Sequence, residues 1–167
     1  MQHALLLIHV IYRIIRTAAL RKAQAAGSQS LQDSLNGLTY KGPGPIAAMN
    51  LKFVRGVGQD AIVEAFNDAF KGLDADAITA FKTATKNAIG DKGMNTGEEF
   101  TFYWYGDERP LIVAKKNGQI HSVPKSPKVK ELEQRLLGVY LDSKTTVSPE
   151  LVKSIDSCAK EACPHCH

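Results

Sequence analysis

The segment EEFTFYWY, residues 98–105, alternates Phe100, Phe102 and Trp104 with Thr101, Tyr103 and Tyr105. Successive side chains of a strand point to opposite faces, so this stretch reads as a strand with one buried, aromatic face. The next apolar run, PLIVAKKNGQIHSV, reads as a hairpin with Asn117-Gly118 at its tip, the pair best suited to a type I′ turn. The residues before EEFTFYWY switch from period two to the helical period.

In GQDAIVEAFNDAFKG, Ile62, Phe66, Ala69 and Phe70 share one helical face, with Asp60 as the expected cap and Gly72 as the stop. A second helix is expected over AITAFKTATKNAI, capped by Asp76, with Ile78, Phe81, Ala84 or Thr85, and Ala88 turned inward. Ahead of this pair, MNLKFVRGV reads as a strand in which Leu51, Phe53 and Arg55 alternate against Lys52 and Val54. Two further helices are expected after the hairpin, because Ser126-Pro127 and Ser148-Pro149 each place a capping hydroxyl before a proline suited to the first helical position. The order strand, two helices, antiparallel strands, two helices predicts an α+β fold with helices packed on one face of an antiparallel sheet.

The flanks are less regular. From GSQSLQDSLNG to YKGPGP the chain is rich in Gly, Ser and Pro and reads as loop with at most one short helix. MQHALLLIHVIYRII is apolar, but His9 and Arg13 interrupt it well short of the roughly 18 residues of a membrane span. Its positive charge follows the apolar run, at Arg13, Arg16, Arg21 and Lys22, and no acidic residue precedes Asp33, a bias weakly like a transit peptide. A buried helix or strand belonging to the fold is the favoured alternative. The domain is therefore taken as 46–156, with an N-terminal segment 1–45 of uncertain role and a tail 157–167.

At 167 residues the chain is long enough for one domain with a core of its own. Its net charge of +4 comes from dispersed lysines such as Lys115, Lys116, Lys125, Lys128 and Lys130, with no basic stripe carrying aromatics. That argues against a nucleic-acid partner. All three cysteines lie in the tail CAKEACPHCH, so no disulfide framework is expected, and a reducing compartment such as cytoplasm or plastid stroma fits. CPHCH has the spacing of a haem-attachment site, but His167 is the last residue given and no apolar pocket sequence surrounds it. A redox dithiol needs a helix N-terminus to lower a thiol pKa, and none follows Cys163 and Cys166. Cys158, Cys163, Cys166 and a histidine could hold adventitious zinc, although the gaps are irregular. The tail reads as inert, and no metal or cofactor is expected.

No phosphate-binding loop, dinucleotide fingerprint, metalloprotease motif or nucleophile elbow occurs. The run LKFVRGVGQDAIVEAFNDAF, then GEEFTFYWYG, VAKKNGQIHSV and LLGVYLDSKTTVSPELVKSI resembles the chalcone isomerase family over roughly residues 9–156. The last segment is the most specific, with its Leu-Gly, aromatic and Leu residues before Val-Ser-Pro. VIYRIIRTAALRKA would match the strand and helix that precede the family's central pair. The resemblance implies an open-faced β-sandwich, a large antiparallel sheet with a helix layer on one face and a ligand cleft between them.

In the enzymes of that family the cleft closes a chalcone to a flavanone by intramolecular Michael addition. An arginine and a water held by Thr and Tyr hydroxyls stabilise the developing enolate, while an Asn and a further Thr or Ser position the phenol. Relatives without catalysis bind fatty acids there through an arginine–tyrosine pair, or assist flavonoid enzymes. Little of the catalytic set carries over. The family's arginine and first threonine belong to strands expected upstream of this chain; its tyrosine falls at Ala61 or Ile62, and its later threonine near Val139 or Tyr140. Only the asparagine is matched, by Asn67, or Asp68 takes its place under a shifted alignment. An exposed helical asparagine is the competing reading of Asn67.

Three functions follow as expectations. The first is a non-catalytic protein binding a fatty acid or similar apolar carboxylate, with Ile62, Phe66, Phe70, Phe100, Phe102 and Trp104 lining the cleft and Asn67 and Tyr140 also contacting the ligand. The second is a chalcone–flavanone isomerase in which Arg13 or Arg16 replaces the lost arginine. The third is an interaction module that self-associates through an open sheet edge. For the tail, replacing Cys158, Cys163 and Cys166 by serine is expected to leave the melting temperature and ligand binding unchanged. Stoichiometric zinc that disappears in the triple variant, with a fall in melting temperature of many degrees, would overturn the inert reading.

Overall fold

The aromatic alternation of residues 99–104 is the centre of a five-stranded antiparallel sheet in the computed structural model, which describes residues 8–13, 45, 47–105 and 108–141. The strands are β1 (Ile8–Arg13), β2 (Ala47–Phe53), β3 (Glu99–Trp104), β4 (Leu111–Lys115) and β5 (Ile120–Val123). They lie side by side in chain order, each antiparallel to the next. Register puts like faces together: Met49 is opposite Phe102, and Leu51 is opposite Phe100. All four are buried, so β2 and β3 present one continuous apolar face. The expected strand at β2 thus has the expected face, but it stops at Phe53, and Arg55 is exposed rather than turned inward. Beyond Phe53 the chain turns away, held by the isolated bridge between Val57 and Met94.

Between β2 and β3 run α1 (Gln59–Glu64) and α2 (Ala75–Ile89). The helix expected to continue to Gly72 holds α-helical form only to Glu64. From there most backbone bonds span three residues, as in Asn67 N–H to Glu64 O at 2.9 Å and Leu73 N–H to Phe70 O at 3.0 Å. Such tight turns still carry Phe66 and Phe70 to the same inner side, and Gly72, at φ 86°, marks their end. Two capping assignments shift. α1 starts at Gly58 without a side-chain cap, while Asp60 instead pairs with Lys86 at 2.6 Å. α2 is capped by Asp74, not Asp76: its carboxylate accepts from the amides of Asp76 and Ala77, both at 3.1 Å. The inward stripe of α2 is Ala77, Phe81, Ala84, Thr85, Ala88 and Ile89, close to expectation, with Ile78 only partly covered.

The hairpin between β4 and β5 is present, but its turn is different. Gly118 N–H bonds to Lys115 O at 2.9 Å, which centres the turn on Lys116-Asn117. Asn117 has φ 61°, whereas neither Lys116 nor Gly118 is left-handed. A positive φ at the third residue alone is the pattern of a type II turn, not type I′, and asparagine tolerates it. α3 (Pro127–Leu141) begins as expected, with Ser126 Oγ accepting from Val129 N–H at 3.1 Å. Ser148-Pro149, the tail cysteines and Arg16 lie outside the described residues.

α2 packs across β4 and β5, and α1 and α3 pack against α2. The architecture is α+β, an open antiparallel sheet with helices packed on it, as the sequence predicts. Backbone sterics make one glycine irreplaceable. Gly93, at φ 72°, would place a Cβ 2.3 Å from Val57 O, inside the Val57–Met94 bridge. Gly72 is also left-handed but faces open space. Gly93→Ala is therefore expected to cost roughly 3 kcal/mol or more, and Gly72→Ala only about 1–2 kcal/mol of backbone strain. Urea unfolding of both variants checks this, and equal costs would refute the role given to the bridge.

Candidate functional site

The helix–sheet layer is where the expected site residues meet. Ile62, Phe66, Phe70, Phe102 and Trp104 are all buried and belong to one apolar cluster. Phe81 of α2 stacks on Phe102 of β3 with ring centres 5.7 Å apart. Phe66 meets both edge-on, at 5.4 Å from Phe81 and 6.0 Å from Phe102. Phe70 closes on Phe81 at 5.0 Å, and Phe100 and Trp104 flank Phe102 along the strand at 4.9 and 6.0 Å. Phe81 carries as much of this layer as any expected lining residue; its i, i+4 spacing to Ala77 and Thr85 was the available signal.

Asn67 is not part of the layer. It sits exposed on the turns after α1, which is the competing reading of that residue. Tyr140 lies in the last turn of α3, and its side chain is outside the description. Arg13 ends β1 opposite Ala48, and it too is described only by its backbone.

Two polar atoms stand out against this apolar wall. The Trp104 indole nitrogen and the Thr85 hydroxyl are buried with no hydrogen-bond partner among the described residues. The Thr85 orientation is not a general habit of this helix, because Thr79 hydrogen-bonds back to Ala75 O at 2.8 Å. An unmatched buried donor or acceptor costs about 1–3 kcal/mol. Both atoms adjoin the Phe81–Phe102 stack: Trp104 is two residues along β3, and Thr85 is one turn along α2.

Sequence reading passed over a third feature. Glu133 falls on the buried stripe of α3, with Val129 and Leu137 one turn to either side. Its residue is 6% exposed. Oε2 accepts from Lys125 Nζ at 2.5 Å, while Oε1 is buried without a partner among the described residues. Burial pushes the Glu133 carboxyl above the ordinary glutamate range, against the opposing pull of Lys125 and, more weakly, Lys130. The i, i+4 position after Val129 was the sequence signal.

A separate open groove of about 810 Å³ lies between the end of α2 and the hairpin, lined among others by Asn87, Gly90, Thr96 and Gln119. Its charges are matched, Lys115 with Glu98 at 2.9 Å and Lys116 with Glu99 at 3.1 Å. The Asn95 amide and then Lys115 hold Glu98 below the usual carboxylate range, and Lys116 does the same for Glu99. At the other end of β3, the Arg109 guanidinium lies 4.3 Å from the centre of the Tyr105 ring. Among the described residues no cluster of His, Cys, Asp or Glu could hold a metal, and no helix is long and apolar enough to cross a membrane. No family model matches the sequence, and no curated protein matches it either.

The Glu133 environment sets a sign for stability. Its raised folded-state pKa means that the folded protein binds this proton more tightly than the unfolded chain. The associated stability is present at low pH and is lost as pH rises through the raised value. Urea unfolding of wild type and Glu133→Gln from about pH 4 to pH 8 should show the gap moving in favour of the glutamine variant as pH rises. A gap moving the other way would mean that the Lys125 pair outweighs burial.

Proposed function

We propose that this protein is a non-catalytic member of the chalcone isomerase type of open-faced β-sandwich, and that it binds a fatty acid or similar apolar carboxylate between sheet and helices. The observation that carries the reading is the aromatic layer itself, with an unpartnered Trp104 indole N–H at its end. Ligand sites of this class are apolar walls with one or a few polar groups that orient the head. The energetics allow the layer to open. Separating an aromatic pair forfeits about 1 kcal/mol, whereas each ligand methylene taken from water returns about 0.8 kcal/mol. A dodecyl chain offsets the loss of several ring contacts.

The isomerase alternative draws less support. Asn67, its one matching residue, is exposed and away from the aromatic layer. One observation favours the interaction reading: Ile120 on β5, one of the two edge strands among the described residues, is 71% exposed. An apolar residue on a short sheet edge suits pairing with a second copy. Light scattering over a range of concentrations separates the two, since a monomer throughout removes edge pairing.

Trp104 is the only tryptophan of the chain, so its fluorescence reports on the layer directly. Titration with dodecanoate is expected to shift that emission saturably, and native mass spectrometry of gently purified protein to show retained lipid. Trp104→Phe, read by mass spectrometry, is expected to weaken binding by about 10-fold or more, the worth of a hydrogen bond to a charged group. Naringenin chalcone should cyclise no faster with the protein than without it. Protein that purifies free of lipid and ignores dodecanoate would end the ligand reading, and accelerated cyclisation would restore the isomerase one.

A further inference from the structure

Lys125, just before α3, and Glu133, on the inner side of that helix, form a buried pair of titratable side chains, and this is an expensive arrangement for a purely structural contact. Their side chains are 11% and 7% exposed. Taking such a pair out of water costs several kcal/mol per ion, and mutual attraction alone often fails to return it. The Glu133 neighbours on the stripe, Val129, Leu136 and Leu137, belong to the same apolar cluster as Phe102 and Trp104. Glu133 also keeps Oε1 buried and unpartnered, so the pair is incomplete as it stands.

Resting on the ligand reading above, we propose that this pair is the polar pole of that site: Lys125 binds the ligand carboxylate, and Glu133 takes up one proton as the ligand arrives. The chemistry follows from charge. Lys125 and Glu133 together are neutral, so an added carboxylate would leave one net negative charge among apolar side chains. Two carboxylates beside one ammonium also repel, which raises the affinity of one of them for a proton. Protonation on Oε1 restores neutrality and turns a stranded acceptor into a donor aimed at the incoming head group. The proton comes from solvent, and only hydrogen bonds are exchanged.

Glu133 is suited to this because burial already raises its pKa. Lys128, Lys130, Glu131 and Arg135 share α3 with Glu133; His121, whose Nε2 is buried without a partner among the described residues, lies on β5; α2 carries Asp76, Lys82 and Lys86, and its cap Asp74 is occupied by Lys128 at 2.6 Å. The Lys128 hydrogen bond, then the Ala77 amide, lowers the Asp74 pKa, so Asp74 does not compete for the same proton.

Calorimetric titration with dodecanoate near pH 7, in two buffers of different ionisation enthalpy, measures the proton count. Wild type should take up close to one proton per dodecanoate, and its affinity should fall by up to about tenfold per pH unit above the Glu133 pKa. Glu133→Gln should bind with no proton uptake and a flat pH profile. Because Lys125→Met alone would strand a buried carboxylate and unfold, the test variant is the double change Lys125→Met with Glu133→Leu, which removes both charges. It should lose dodecanoate binding by tenfold or more while keeping dodecanol, which needs no cation. Dodecanoate binding without proton uptake, or undiminished in the double variant, overturns this proposal and leaves the ligand reading standing. A wild-type protein that binds neither dodecanoate nor dodecanol overturns both.

Discussion

Phe102 is the contact on which the rest of the structure leans. Its ring stacks on Phe81, meets Phe66 and Phe100 edge-on, and adjoins Trp104, so that α2, the turns after α1, and β3 converge on one side chain. On its own rung the register runs Tyr12, Met49, Phe102, Val113 and His121 across all five strands. Removing that ring would open a cavity at the junction of two layers, where neighbouring side chains are already in contact and cannot collapse cheaply. The helices sit where they do because an aromatic row on β3 has to be covered.

Against this apolar centre the polar groups sort by burial. The pairs at the surface, Lys86–Asp60 and Lys116–Glu99, tie neighbouring elements together but contribute little net stability, since water competes for both partners. The buried groups carry larger stakes. Trp104, Thr85 and Glu133 each leave an atom unmatched in a setting where a missing hydrogen bond is costly. Those atoms give the layer its chemical character, and both the ligand reading and the proton-linked anchor at Lys125 and Glu133 grow from them.

Where the sequence misled, the cause was local competition. The helix from Gln59 was expected to run on to Gly72, yet Asn67 and Asp68, which favour turns, fall where the bonding shortens. Asp60 and Asp76 looked like caps, but a cap is set by where the chain enters the helix, and here that is Gly58 and Asp74. The hairpin was visible in Asn-Gly, although its turn type depended on whether Asn117 or Gly118 took the left-handed position. Of the expected lining residues, the six apolar ones whose side chains are described, Ile62, Phe66, Phe70, Phe100, Phe102 and Trp104, came together. Asn67 did not, because a single matching residue on a polar face carries no periodicity to locate it.

Periodicity, with the turn and capping signals, determined most element types, the buried faces of β2, β3 and α2, and the α+β order, because burial of one face is a local demand repeated along the chain. Which strand lies beside which, and which rings touch, only the tertiary structure decided. Phe66, Phe81 and Phe102 are distant in sequence and equally apolar, so nothing local makes one the neighbour of another. The same holds for the unmatched atoms of Trp104 and Glu133. A tryptophan and a glutamate carry no mark in the sequence of being left without a partner, since that is a property of everything packed around them.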